Sequence, residues 1–289
     1  MPPTEPVEVT PRLLREWALP EPGGSKYQRG RVMVIGGAVR TPGAVQLAGL
    51  AALRVGAGRL SLAVAEPVAA QLAVATPEAG VSALPVDDAG SVLAAGVAGL
   101  ADDLGTSDAV VIGPGLDNPE LTARLVDAAL PLLGPRTCLV LDAFAVTVLS
   151  ELGPLAPAVA ARTVLTPNED EAELLLGRPL GDDALKGVSA IARQYGAVVT
   201  CRDLVVTPAG EWWRVGVGHS GLATSGSGDV LAGAVGGVLA RGAEPAQAAC
   251  WAKFLHASAG ERLAARIGRV GFLASEVLAE LPLVLSELY

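Results

Sequence analysis

The chain of 289 residues carries a formal net charge of −9 and only 3% aromatic side chains. This balance excludes a protein that grips phosphate backbones, which needs a basic surface, and one that reads single strands, which needs stacking platforms. Although 51% of the residues are hydrophobic, Gly, Pro, Asp or Arg cut every apolar run before the roughly 18–20 residues that span a bilayer, which excludes a helical membrane protein.

Cys138, Cys201 and Cys250 are scattered and odd in number, so they build neither a disulfide framework nor a zinc site. The start, Met1-Pro2-Pro3-Thr4-Glu5-Pro6, lacks the charged-then-apolar form of a signal peptide, and a cytoplasmic location is expected. No linker long enough to mark a domain boundary and no fixed repeat divides the chain.

The chain alternates short β-rich runs with longer helical patterns, which predicts an α/β fold: a mostly parallel central sheet covered by helices on both faces. Arg31 to Ile35 reads as a buried strand ending in Gly36-Gly37. Gly43 to Val55 reads as a helix whose Ala44, Ala48, Ala51 and Ala52 permit close approach to the sheet. Leu60 to Ala65 is the next strand, Asp108 to Ile112 a third ending in Gly113-Pro114-Gly115, and Thr137 to Leu141 a fourth followed by Asp142. Val164-Leu165 leads into Thr166-Pro167-Asn168, where Asn168 caps a helix from Glu169 to Leu176. Val198-Val199 and Leu204 to Thr207 form a β-rich excursion with Trp212-Trp213, whose rings are expected to alternate, one in and one out. Helices from Gly228, Pro245 and Ala274 close the chain.

Five glycine or polar features fall at C-terminal strand ends or an adjoining turn, the edge where open α/β sheets bind ligands. The most informative is Thr224-Ser225-Gly226-Ser227-Gly228-Asp229, directly followed by an apolar helical run. A glycine turn that opens a helix offers free N–H groups and the positive end of the helix dipole to an anion. Asp229 on that turn is then a carboxylate able to take the proton of an attacking hydroxyl, the minimal equipment for phosphoryl transfer. Asn168 and Glu171 lie at i and i+3, which suits a capping box and equally an anchor for Mg²⁺ through water. His219 and His256 have no partner at ligand spacing and read as packing residues.

Read together, Gly30 to Gly37, Pro42-Gly43-Ala44, Gly113 to Leu116, Leu141-Asp142-Ala143, Thr166 to Asn168 with Glu171, and Thr224 to Gly233 resemble the ADP/ATP-dependent NAD(P)H-hydrate dehydratases. These belong to the ribokinase-like superfamily, and the resemblance runs in order from about Lys26 to Val284, which implies one domain over 26–289 after an N-terminal extension, 1–25. It implies a three-layer ribokinase-like sandwich and a repair reaction on the S form of hydrated NADH or NADPH. In that reaction the 6-hydroxyl is phosphorylated by ADP or ATP and phosphate is then eliminated. By the same resemblance Asp229 is the base, and Gly226, Ser227 and Gly228 form the anion hole. Ala44, Gly115 and Asn168, with Asp229, contact the hydrate, while Cys201, Arg202 and Asp203 border the nucleotide. Asn168 and Glu171 match a motif linked to Mg²⁺ and phosphate. A homotetramer is implied, as is a separate epimerase chain for the R form; neither nucleic acid nor membrane is an expected partner.

The chain departs from the pattern at Asn168, where many members carry His, and at Ser225 and Asp117, where glycine is common. It also departs at Cys201-Arg202, where many carry Lys-Gly in a longer segment. Two other readings stay open: a superfamily kinase acting on a hydroxymethyl-pyrimidine or hydroxyethyl-thiazole alcohol, and a catalytically dead nucleotide-binding protein.

Overall fold

A computed structural model describes residues 6–21 and 23–289; the polar start Met1 to Glu5 lies outside the described residues. Ten strands form one sheet: β1 (Val7–Glu8), β2 (Arg31–Ile35), β3 (Arg59–Ala65), β4 (Ala79–Leu84), β5 (Ala109–Ile112), β6 (Cys138–Leu141), β7 (Thr163–Leu165), β8 (Val198–Cys201), β9 (Leu204–Val206) and β10 (Trp212–Arg214). Their spatial order is β1-β10-β9-β8-β7-β6-β5-β2-β3-β4. From β8 to β4 every pairing is parallel, and β9 runs antiparallel to both β8 and β10.

The central strands are unbroken Val, Ile and Leu runs because both faces are covered. Val32 and Val34 enter one core, and Met33 and Ile35 enter the other. The chain builds outward through β3 and β4, then returns to build β5 to β8 on the other side of β2. The switch point therefore lies between β2 and β5, where a crevice for ligands is expected. Gly36-Gly37 and Gly113-Pro114-Gly115 close that crevice: the Gly37 N–H donates to the Pro114 carbonyl at 2.8 Å and the Gly113 N–H to that of Ile35 at 3.1 Å.

The expected strands and closing helices are present with ends shifted by one or two residues. β4 was not expected: its sequence Ala-Gly-Val-Ser-Ala-Leu is weakly apolar because it is an edge strand with half-exposed faces. The small residues of the helix Pro42–Arg54 serve a different contact from the one expected. A Cβ added to Gly233 would stand 1.9 Å from the Ala48 carbonyl oxygen, and one added to Gly237 would stand 2.5 Å from that of Ala52. They admit the helix Ser227–Ala240, while Gly49 faces Leu60 and Leu62 of the sheet. The two tryptophans point to opposite faces as alternation requires, yet both are covered. Trp212 is buried in one core, and Trp213 stacks on Trp17 with ring centroids 5.5 Å apart.

Candidate active site

The glycine turn is built as its sequence demands. Gly226 caps the helix Ser227–Ala240 with φ +87°, a conformation costly for any residue with a Cβ. Gly228 is exposed, and a Cβ placed there would meet nothing within 4 Å. The N–H groups of Gly228 and Asp229 have no acceptor among the described residues. The end of the helix is thus open to an anion. Ser227 points inward, and its Oγ lies 3.0 Å from Nε2 of His256.

Asp229 stands on this turn without a hydrogen-bond or ion-pair partner among the described residues. Burial, with the nearby Glu171 carboxylate, pushes its pKa up to about 6. Asp142, fully buried at the end of β6, is raised to about 7 by burial and by the charge of Asp229, although Thr166 Oγ1 donates to it at 2.6 Å. Glu171 is also raised to about 7, by burial first and then by Asp142 and Asp170. Three carboxylates from three elements therefore share one negative field. Asn168 and Glu171 form a reciprocal capping box: the Asn168 N–H donates to Glu171 Oε2, and the Glu171 N–H donates to Asn168 Oδ1, both at 2.9 Å.

Beside the turn lies a cleft of about 890 Å³, within the size range of small-molecule sites. Val217, Leu222 and Leu231 line its apolar part, and Thr200, Lys253 and Gly228 its polar part. The β8–β9 hairpin forms its rim. Arg202 holds φ +51° there, in the left-handed region that favours glycine. Its guanidinium grips both carboxylate oxygens of Glu169, which holds that carboxyl below its usual range. Asp203 lines the same rim and pairs with Arg214 at 3.2 Å. Cys201 is buried with the core on the other face of the sheet, its thiol pushed up to about 11 by burial, and it does not line the cleft.

Ala44 and Gly115 meet on the far side of the turn. A Cβ on Gly115 would stand 3.0 Å from that of Ala44, and Thr41 Oγ1 donates to the Gly115 carbonyl at 2.7 Å. One helical turn after Ala44, Leu47 abuts Gly226. Of the expected residues, Asn168, Arg202, Asp203, Ser227 and Gly228 thus line the one cleft, Ala44 and Gly115 meet each other outside that lining, and Cys201 does not line it.

Two more residues of the cleft wall are Lys253, which escaped the sequence reading, and His256, which that reading took for packing. They lie three apart on the helix Pro245–Arg266, and so on one face. The available signal was Lys253 itself, the one formally charged side chain in the apolar run Ala248 to Ala257. His219 sits in the loop wall, where Nδ1 accepts from the Gly221 N–H at 3.0 Å.

The profile of the NAD(P)H-hydrate dehydratase family matches residues 32–283. This chain belongs to that family. It is 42% identical to the ADP-dependent (S)-NAD(P)H-hydrate dehydratase of Xanthomonas campestris pv. campestris, across 97% of this chain and 96% of the relative. It is 34% identical to the bifunctional NAD(P)H-hydrate repair enzyme of Moorella thermoacetica, but spans only 51% of that protein. Among solved structures it resembles the ADP/ATP-dependent NAD(P)H-hydrate dehydratase of Bacillus subtilis co-crystallised with ATP/Mg²⁺, with a TM-score of 0.82 and 26% identity over 99% of this chain and all of that one. A ribokinase-like superfamily protein of Enterococcus faecalis shares the fold, at a TM-score of 0.84 and 24% identity over 97% of this chain and 95% of that one.

Proposed function

We propose that this member of the family is a nucleotide-dependent dehydratase that returns the S form of hydrated NADH and NADPH to NADH and NADPH. One observation carries the reading. Asp229, a carboxylate with no partner among the described residues, shares its helical turn with the open N–H of Gly228, which lines a nucleotide-sized cleft, and Leu47 of the helix that carries Ala44 abuts the same turn at Gly226.

In this reading the adenine and ribose lie along Val217 and Leu222, and the phosphates rest over Gly226, Ser227 and Gly228 at the positive end of the helix. The hairpin Cys201–Asp203 borders the nucleotide, Cys201 through its backbone alone. Ala44, Gly115 and Asn168 hold the hydrate. Asp229 takes the proton of the 6-hydroxyl as the oxygen attacks the terminal phosphorus of ADP or ATP, and the nucleotide loses one phosphoryl group. Elimination of phosphate from the ring then restores the dihydronicotinamide. With a pKa of about 6, the base is ionised at neutral pH and still strong enough to accept a proton.

The donor set fits Mg²⁺ held at a distance. The fields of Asp142, Glu171 and Asp229 overlap, yet among the described residues no group of three His, Cys, Asp or Glu side chains is placed to hold a metal. That suits an ion that keeps its waters, with Glu171 and Asn168 reaching it through them. When bound, it neutralises phosphate charge.

We further infer one catalytic domain over residues 26–289, which carries nine of the ten described strands, while β1 of the N-terminal extension adds an edge strand beside β10. A homo-oligomer, a tetramer by family resemblance, is supported by the exposed Ile267, Val270, Leu273 and Leu283. A cytoplasmic location is consistent with the described helices, none of which is long and apolar enough to cross a membrane. The test is to incubate the protein with S hydrate, Mg²⁺ and ADP or ATP and follow recovery of NADH absorbance. Recovery without nucleotide, or none with either nucleotide, overturns the reading.

A further inference from the structure

The cleft contains a cation that none of the roles above uses. Lys253 enters its wall from the helix Pro245–Arg266, among Cys250, Trp251, Phe254 and Leu255. Its ammonium makes no ion pair with any described residue. Burial lowers its pKa, and the nearest opposing influences, Cys201 and Asp203, offset this only in part. Asp203 is already paired with Arg214. An uncompensated charge at this depth is costly unless something that arrives later neutralises it.

A second group beside it has the same deficit. Thr200 is 1% exposed, lines the cleft, and its Oγ1 has no hydrogen-bond partner among the described residues. Strand alternation turns it away from the core that takes Val199 and Cys201 and toward the face covered by the Lys253 helix. The other cations of the cleft are committed or neutral. Arg202 is clamped by Glu169, and burial depresses the pKa of His256 to about 3.

The geometry also fixes the distance from the turn. His256 holds Ser227, the first residue of the glycine-turn helix. Lys253 lies three residues earlier on the same helical face, a rise of roughly 4.5 Å, within the compass of a four-carbon side chain. We propose that Lys253 and Thr200 form a second phosphate-oxygen site in the cleft, facing the glycine turn and binding the polyphosphate of the nucleotide. Anion recognition in this acidic chain is then shared between backbone N–H groups on one side and one ammonium with one hydroxyl on the other. The proposal rests on the cleft being the nucleotide site.

Calorimetric titration of the full chain with ADP and, separately, with adenosine tests it. Charged hydrogen bonds are the strong ones, so Lys253→Met should weaken ADP binding by about 10- to 100-fold, with adenosine binding unchanged. Thr200→Val should weaken ADP by about 3- to 10-fold. Without nucleotide, Lys253→Met should melt at the same temperature as the parent or higher, because an unpaired charge has been removed; added ADP should then stabilise it less. A lysine with a merely structural role would lower the melting temperature and leave ADP affinity alone. That result, or equal ADP affinity in parent and variant, overturns the proposal. Failure of the unaltered protein to bind ADP at all would instead overturn the assignment of the cleft, and this proposal with it.

Discussion

His256 and Ser227 are joined twice: Nε2 of the buried imidazole lies 3.0 Å from the Ser227 carbonyl oxygen and 3.0 Å from its Oγ. Burial and the nearby Lys253 keep the ring neutral, with a pKa of about 3. The carbonyl can only accept, so Nε2 carries the ring proton. A neutral histidine thus pins the residue that precedes Gly228, and the open N–H groups inherit their direction from it.

Replacing this histidine separates fixing the turn from filling the core. His256→Leu removes the ring N–H from beside the buried Ser227 oxygens, which should cost about 1–3 kcal/mol. Urea titration would show the loss. Turnover at saturating nucleotide should fall about tenfold or more, since a slightly misplaced cradle loses transition-state contacts first. Unchanged turnover would make the contact purely structural.

Asp229→Asn should reduce turnover by about 10²–10⁴-fold, the usual worth of a general base. The side chain has no partner to lose, so the fold should survive, and removal of a charge beside bound phosphates should leave nucleotide affinity equal or greater. NADH recovery and ADP titration read the two effects separately. A fall of less than tenfold would move the base elsewhere.

Gly228→Val adds side-chain atoms where the protein has none within 4 Å. The melting temperature should therefore stay near that of the parent, within about 1 kcal/mol of stability. The new methyls project from an exposed position on the cleft wall, so ADP binding and turnover should both collapse. Parent-like activity would reduce the turn to a helix cap.

The shared carboxylate field makes stability depend on pH with a definite sign. Asp229 rises to about 6, and Asp142 and Glu171 to about 7, against about 3.9 for Asp and 4.3 for Glu in an unfolded chain. Between those values the native state binds more protons than the unfolded one, so stability is greatest below about pH 4 for these groups and falls as pH rises to about 7. Urea midpoints of the nucleotide-free protein should be higher at pH 5 than at pH 8, and Asp142→Asn should flatten the difference. A midpoint that climbs toward pH 8 would contradict the coupling.

The residues that announced themselves in the sequence did so through local rules. Asn168 with Glu171 wrote the start of its helix, and the apolar run Arg31 to Ile35 ended in the glycines a parallel strand needs. β4 was illegible because Gly80 and Ser82 sit on an edge strand, where burial no longer selects apolar residues. Alternation alone leaves one ring of the Trp212-Trp213 pair facing outward, because the cover of Trp213 is Trp17, nearly 200 positions earlier in the chain. Lys253 was missed, and His256 was read as packing alone, for the same reason: a helix pattern shows which face a side chain shares, not which turn that face meets. The positive φ of Arg202 is a fact of the hairpin that no residue-type rule foretells.

The backbone contact of Gly233 with Ala48, and of Gly237 with Ala52, works as a gauge block between two halves of a machine. One helix carries Asp229, and the other carries Ala44 against Gly115. Because peptide touches peptide there, no rotamer can absorb an added methyl, and the gap between Asp229 and the Ala44–Gly115 pair would widen by the thickness of whatever was inserted. Damage at Ala48 or Gly233, one helical turn beyond Ala44 and Asp229, would therefore register in turnover rather than in the affinity for either reactant.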